Sequence, residues 1–307
     1  MLSRFDPARV LLVSSLYFLT ACASVENDTF DVAPQDWLTR STQAGVVRAI
    51  GFDAEEEISR YRAPTFPDRM VLDTQIRASG KGAMRVIIPG ESPANTSGTW
   101  RVNFSEDPFA TQFGENQTFY VQWRQRFDAF YLQHEFRGAS GFKQIIIGEG
   151  DRPGEKEARS CTSLEIVVNN GWFRGYPQMY HSCGLYWPYE PYRFVDYVED
   201  EWMTFQVGIT LGPLGVAYDS ATGKEAYGYT NSSIEMWVAR EGERSKLTHR
   251  ESDLVLRVDQ SQYPIPRYGK VWFLTYMTGK DPREKHSETY TWYDELIISR
   301  SRIADPK

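Results

Sequence analysis

The sequence predicts an all-β protein, a sandwich or jelly roll of two antiparallel sheets. Three observations carry that expectation. Hydrophobic periodicity is mostly two, in short runs rich in β-branched and aromatic residues. Those runs are bounded by Gly, Pro, Asn and Asp, the residues that turn a chain back on itself. Helical patterning is confined to two short stretches, PQDWLTRSTQ and FDAEEEISRY, so helices alternating with strands in a parallel sheet are not expected.

Taken in order, the chain begins with Arg4 and Arg9 ahead of an apolar run, VLLVSSLYFL. About ten apolar residues are too few for a permanent membrane span but suit the core of a signal peptide. Residues 22–36 are polar and read as a tether, and from Trp37 to Lys307 no repeat or long linker divides the chain. The predicted strands of that single domain are GAMRVIIPG, TWRVNF, TFYVQWRQRF, GFKQIIIGEG, TSLEIVVNN, WMTFQVGITLG, SSIEMWVARE, KVWFLTYMTG and ETYTWYDELIIS.

Composition narrows the function classes. The formal charge is −7 and no Lys/Arg run is present, which argues against nucleic acid as a partner. Aromatics reach 14%, with 18 Tyr and 9 Trp, enough for a thick core or for a surface that stacks on sugar rings. The four histidines are scattered without zinc-type spacing, and no metal or other cofactor is expected from them. His134 and His286 read as loop residues. Neither a Gly-rich phosphate loop nor a Gly-x-Ser-x-Gly elbow is present.

Leu19-Thr20-Ala21-Cys22 resembles the bacterial lipobox. The resemblance implies a signal peptide over 1–21, a lipidated Cys22 and, with Ala23 following, an outer-membrane lipoprotein attached to the membrane through its lipid alone. The competing reading is a plain secretory signal. With Cys22 lipidated, Cys161 and Cys183 remain in an oxidising compartment, where a disulfide is expected. A hairpin turning near Asn169–Trp172, in a register that sets Cys161 opposite Cys183, also sets Ser163 opposite His181 and Glu165 opposite Met179. In that register Glu165 and His181 share one face, and Tyr180 faces the other way with Ile166 and Val168.

The succession GKGAMRVIIPG, FYVQWRQRF, EWMTFQVGITLG, IEMWVAREG and TWYDELIIS resembles the concanavalin A-like lectin/glucanase superfamily, and within it the polysaccharide-lyase-like jelly rolls, over roughly residues 80–299. Laminarinase-type hydrolases of this fold carry Glu-x-Asp-x-x-Glu; here LEIVVN offers Glu165 alone, and a retaining pair needs two carboxyls about 5 Å apart. Alginate lyases of this fold use a Gln-x-His strand, an Arg-bearing strand and a late Tyr. Gln144-Ile145-Ile146 begins like the first motif but lacks the His, while Arg124 and Tyr276 match the other two. Relatives of this fold also hold calcium in some cases, so Asp294 and Glu295 either face an ion or Asp294 caps a turn.

A uronate lyase must neutralise a carboxylate, remove the C5 proton and protonate the leaving oxygen. Gln122, Arg124 and Arg126 alternate with Val121, Trp123 and Phe127, forming either a donor row for carboxylates or an ordinary solvent face. Arg101 and Asn103 form a shorter row of the same kind. His181, Tyr276 and Arg124 are the catalytic candidates. Gln122, Arg126, Arg101, Asn103, Lys143, Gln144, Glu165, Trp187 and Tyr189 are the substrate-binding candidates, the last two from the aromatic, Pro-rich GLYWPYEPYRF. His181 also reads as a surface histidine, and Lys143 as a snorkelling one.

Two functions from different classes follow. One is a cell-envelope lyase cleaving an acidic polysaccharide by β-elimination. The other is a non-catalytic lipoprotein that captures such a glycan, favoured by the missing His and the missing second acid. An adhesion domain without a sugar site is a third reading, and it requires the Gln122–Arg126 row to lie flat and open.

Overall fold

A computed structural model describes residues 32–91, 95–154, 164–181, 187–219 and 222–307, with the side chains of residues 97, 187 and 188 excepted. Cys22, Cys161 and Cys183, together with the signal segment, lie outside the described residues. The two runs of helical pattern each form one turn, α1 (Trp37–Ser41) and α2 (Glu55–Ser59), and a third, α3 (Ala129–Gln133), was not expected from the sequence. Each is short because little apolar surface follows the 3.6 period. Asp36 caps α1, its carboxylate accepting from Thr39 N at 2.9 Å.

The strands are β1 (Val46–Ile50), β2 (Met70–Asp73), β3 (Ala83–Ile88), β4 (Thr96–Asn103), β5 (Thr118–Phe127), β6 (Gly141–Glu149), β7 (Glu165–Gly171) and β8 (Gln178–His181). They continue with β9 (Trp187–Tyr189), β10 (Trp202–Thr210), β11 (Leu214–Asp219), β12 (Lys224–Ala239), β13 (Lys246–Arg257), β14 (Tyr268–Tyr276) and β15 (Thr289–Ser299). All named pairings are antiparallel and form two sheets. The nine-stranded sheet runs β11-β12-β10-β5-β15-β3-β2, with β1 on β15 and β13 on β12; the six-stranded sheet runs β4-β14-β6-β7-β8-β9. The fold is a jelly-roll β-sandwich.

Alternation along each strand builds the core between the sheets. From β5 come Phe119, Val121, Trp123 and Phe127; Ile145, Ile147, Ile166, Val168, Val271 and Phe273 face them from the six-stranded sheet. Trp123 stacks on Phe205 at 5.3 Å between ring centroids and Phe273 on Tyr293 at 4.3 Å, so aromatic area joins the layers.

The other face of β5 carries Gln122, Arg124 and Arg126, but it is covered, neither flat and open nor a groove. Residues 303–305 and α1 lie over it: Gln122 donates to Ala304 O at 3.1 Å, Gln206 to Ile303 O at 3.1 Å, and Arg40 to Gln122 Oε1 at 2.6 Å. Arg124 is 4% exposed, paired with Glu241 at 3.3 Å and Glu295 at 4.0 Å. Arg126 pairs with Asp200 at 3.1 Å and lies beside Trp292. Period two placed these three side chains on one face, but it carried no information about what packs there.

The same face holds Asp294 and Glu295 at a bulge in β15. Glu295 pairs with buried Arg40, and Asp294 Oδ2 accepts from Ala78 N at 2.8 Å and Ser79 N at 3.3 Å. Burial, then the neighbouring Glu295 charge, pushes the Asp294 carboxyl well above the usual range. These carboxylates answer to arginine and backbone amides rather than to an ion. Among the described residues no cluster of three or more His, Cys, Asp or Glu is suited to a metal.

Candidate active site

The outer face of the six-stranded sheet gathers the side chains fitted to β-elimination. Lys143 on β6 stands opposite Asn169 on β7, but the next pair is Ile145 with Val168, so one residue of β6 is extra. The bulge sends both Gln144 and Ile145 inward between Lys143 and Ile146, which point out. Gln144 therefore lies inside the sandwich, not on a substrate surface. Its Nε2 donates to Gln125 Oε1 at 2.9 Å and its Oε1 accepts from the Tyr197 hydroxyl. A strict alternation could not foresee this, because one inserted residue inverts the face of everything beyond it.

The hairpin of β7 and β8 is offset from the register expected from the sequence. Ile166, not Ser163, stands opposite His181, and Val167 stands opposite Tyr180. The turn includes Trp172 and Phe173, both in the left-handed region at φ 55° and 52°, and Gly175 at φ 83°. A slip of three residues, an odd number, inverts the faces. His181 shares the inward phase with Ile166, Val168 and Met179 and is 5% exposed, whereas Tyr180 points outward with Glu165, Val167 and Asn169. The register argument for Cys161 opposite Cys183 is removed by the same slip, although both cysteines lie outside the described residues.

Lys143, Asn169, Tyr180 and the indole of Trp172 line a cleft of about 250 Å³. Lys143 Nζ lies 4.8 Å from the ring centroid of Tyr276, which β14 presents on the same face. Burial holds the Lys143 amine below its ordinary value, and the Glu165 carboxylate opposes that shift. Lys143 makes no ion pair among the described residues. Asn169 is only 8% exposed, yet its Oδ1 has no hydrogen-bond partner. A buried amide with unused capacity beside a cleft is fitted to a polar ligand. The Tyr276 hydroxyl accepts from Asn95 Nδ2 at 3.2 Å, which leaves its own proton free to be given.

The remaining sequence candidates divide between this face and elsewhere. Arg101 and Asn103 occupy the same face at the far end of β4, beside Lys270 and Asp151, in a separate cleft of about 310 Å³. A buried apolar cluster of Ile146, Val167, Trp272 and Leu274 lies between the two clefts. Glu165 is on the outward phase of β7, opposite Gly148. Tyr189 is a core residue: it stands opposite Met179, is buried, and burial pushes its phenol up. Trp187 pairs through its backbone with His181, and its side chain lies outside the described residues. Gln122, Arg124 and Arg126 belong to the opposite sheet, so they cannot share a site with Tyr276 or Lys143.

Asn169, Trp172 and Tyr180 were not among the candidates read from the sequence. The signal that could have found them is the run Gly171-Trp172-Phe173-Arg174-Gly175: with two glycines four apart, it supports a wider turn than Asn170-Gly171 alone.

No family model and no curated protein matches the chain. Solved structures do. The chain is similar to the marine PL-14 alginate lyase from Aplysia kurodai, with 13% identity and a TM-score of 0.51 over 83% of this chain and 99% of that one. It is also similar to a cellulose-induced protein, Cip1, with 13% identity and a TM-score of 0.49 over 84% and 99%. An endo-β-1,4-glucuronan lyase from the fungus Trichoderma reesei follows at 11% identity and a TM-score of 0.46 over 76% and 87%. At these identities the likeness is one of fold.

Proposed function

We propose that the protein is a polysaccharide lyase that cleaves a uronate-containing glycan by β-elimination in the Lys143 cleft. The observation that carries the reading is Lys143: a lysine held below its usual pKa, without an ion pair among the described residues, beside a buried amide and two outward tyrosines. In this mechanism the Asn169 amide donates to the uronate carboxylate and so stabilises the negative charge that grows there as C5 is deprotonated. Neutral Lys143 takes the C5 proton. The electron pair left on C5 forms the C4=C5 double bond as the bond from C4 to the glycosidic oxygen breaks. The Tyr276 hydroxyl gives its proton to that leaving oxygen, with Tyr180 as the neighbouring hydroxyl lining the cleft. His181, Arg124 and Gln122 take no part.

The reading includes attachment to the outer membrane through a lipid on Cys22, supported by the Leu-Thr-Ala-Cys sequence. The test of the lyase is the ultraviolet absorbance of unsaturated uronate products, followed while the protein lacking residues 1–22 meets alginate, glucuronan, pectate and heparin-like glycans. A rise that vanishes in Lys143→Ala supports the mechanism. Binding of one of these glycans without cleavage replaces it with the glycan-capturing lipoprotein.

A further inference from the structure

We infer that Trp172 is a stacking platform for the sugar ring next to the uronate held at Lys143 and Asn169, an inference that rests on the proposed lyase cleft and extends it to a second subsite. Trp172 is 62% exposed and lines the same cleft as Lys143, Asn169 and Tyr180. Its backbone is left-handed at φ 55°, a conformation that bulky residues rarely adopt. Such strain persists where the surroundings over-determine it. Here they do. Trp172 N donates to Ser140 O at 3.0 Å, and a Cβ on Gly141 would stand 2.9 Å from Trp172 N and 2.1 Å from Asn170 O. Only glycine at 141 permits so close an approach.

The turn also sorts its two aromatics. Phe173 packs inward on Phe136 and Phe142, at 6.3 and 6.5 Å between centroids, and Trp172 turns outward. An indole kept in water at the mouth of a polar cleft offers a flat apolar face, which matches the C–H face of a pyranose ring. The cleft then reads its substrate in two ways. The uronate is read by charge and hydrogen bonds at Lys143 and Asn169. Its neighbour is read by ring shape at Trp172, so a neutral sugar there serves as well as an acidic one. Mixed glycans that alternate uronate with neutral sugar are substrates along with homopolymers.

The test compares wild type, Trp172→Ala, Trp172→Phe and Trp172→Gly for cleavage kinetics, and titrates Lys143→Ala and Lys143→Ala/Trp172→Ala with hexasaccharides of alginate and glucuronan. The expected result is an affinity about tenfold weaker and a KM about tenfold higher without the indole. The kcat stays within about twofold and the salt dependence of binding is unchanged. Trp172→Phe recovers most of the loss. Trp172→Gly matches Trp172→Ala in KM while keeping or raising the thermal midpoint, because glycine tolerates φ 55°. An alanine variant within about twofold of its parent in affinity and KM overturns the platform. So does a loss that tracks a lowered thermal midpoint and is not recovered by Phe. If wild type binds glycan without cleaving it, the lyase reading fails and the titration still decides the platform; if it neither binds nor cleaves, both fall.

Discussion

Lys143 Nζ sits 4.8 Å from the ring centroid of Tyr276, joining the bulge of β6 to the end of β14 on the outer face of the six-stranded sheet. The ring shields the amine from water on one side and offers it a π-face rather than a carboxylate. Burial lowers the amine's pKa and Glu165 opposes it, so the balance between them sets how much neutral base exists near neutral pH. The relationship makes Lys143 the centre of the proposed chemistry and gives it a titration to test.

Replacement of Lys143 by Met should lower kcat by about 10²–10⁴-fold, the range for losing a positioned general base. The same variant should be more stable than wild type at pH 7. A lysine whose folded pKa lies below its unfolded one binds its proton less well when folded, so its charge opposes folding below both values. Thermal melts at pH 7 should rise by about 2–4 °C, with Met replacing the buried stem. A fall in melting temperature would contradict the stated environment of the amine.

The pH profile follows from the same shift. Neutral Lys143 is the active form, so kcat/KM should climb with pH through a midpoint below the ordinary lysine value of about 10.4. Glu165→Gln removes the charge that favours the ammonium, and should move that midpoint further down. Rate profiles of the two proteins check both the position and the direction.

Tyr276→Phe keeps the ring under Lys143 and removes only the hydroxyl. We expect a drop in kcat of about 10²-fold with the alkaline midpoint unmoved. Tyr276→Leu removes the ring as well, and should change the midpoint too. Steady-state kinetics across pH separate the two roles.

Arg124 and His181 should behave as structural residues. Arg124→Ala leaves Glu241 and part of Glu295 without a partner beneath the C-terminal segment, and should cost about 1–3 kcal/mol in chemical denaturation with KM unchanged. His181→Ala, on the inward phase of β8, should likewise lower stability and leave the pH profile as it was.

The contrast between those residues and Lys143 shows what one-dimensional patterning carries. The strands and their alternation were legible because burial on one face imposes period two on residues such as Phe119, Val121 and Trp123. Which face of which sheet stays open was not. Gln122, Arg124 and Arg126 form as good a polar row as any, but residues 303–305 return from the far end of the chain to cover them. Face assignments beyond an irregularity were also hidden. The bulge after Lys143 inverts Gln144, and the wider turn at Trp172 exchanges His181 for Tyr180. Tyr276 and Lys143 were legible as residues fitted to the chemistry, whereas their proximity depends on β14 lying beside β6, a pairing between distant segments.

The most direct measurement is the release of unsaturated uronate from acidic glycans by wild type, Lys143→Ala and Arg124→Ala proteins side by side, each checked for folding. The account predicts cleavage by wild type and by folded Arg124→Ala, and its loss in Lys143→Ala. Cleavage that survives in Lys143→Ala and disappears in a folded Arg124→Ala would place the chemistry on the other sheet and contradict the account.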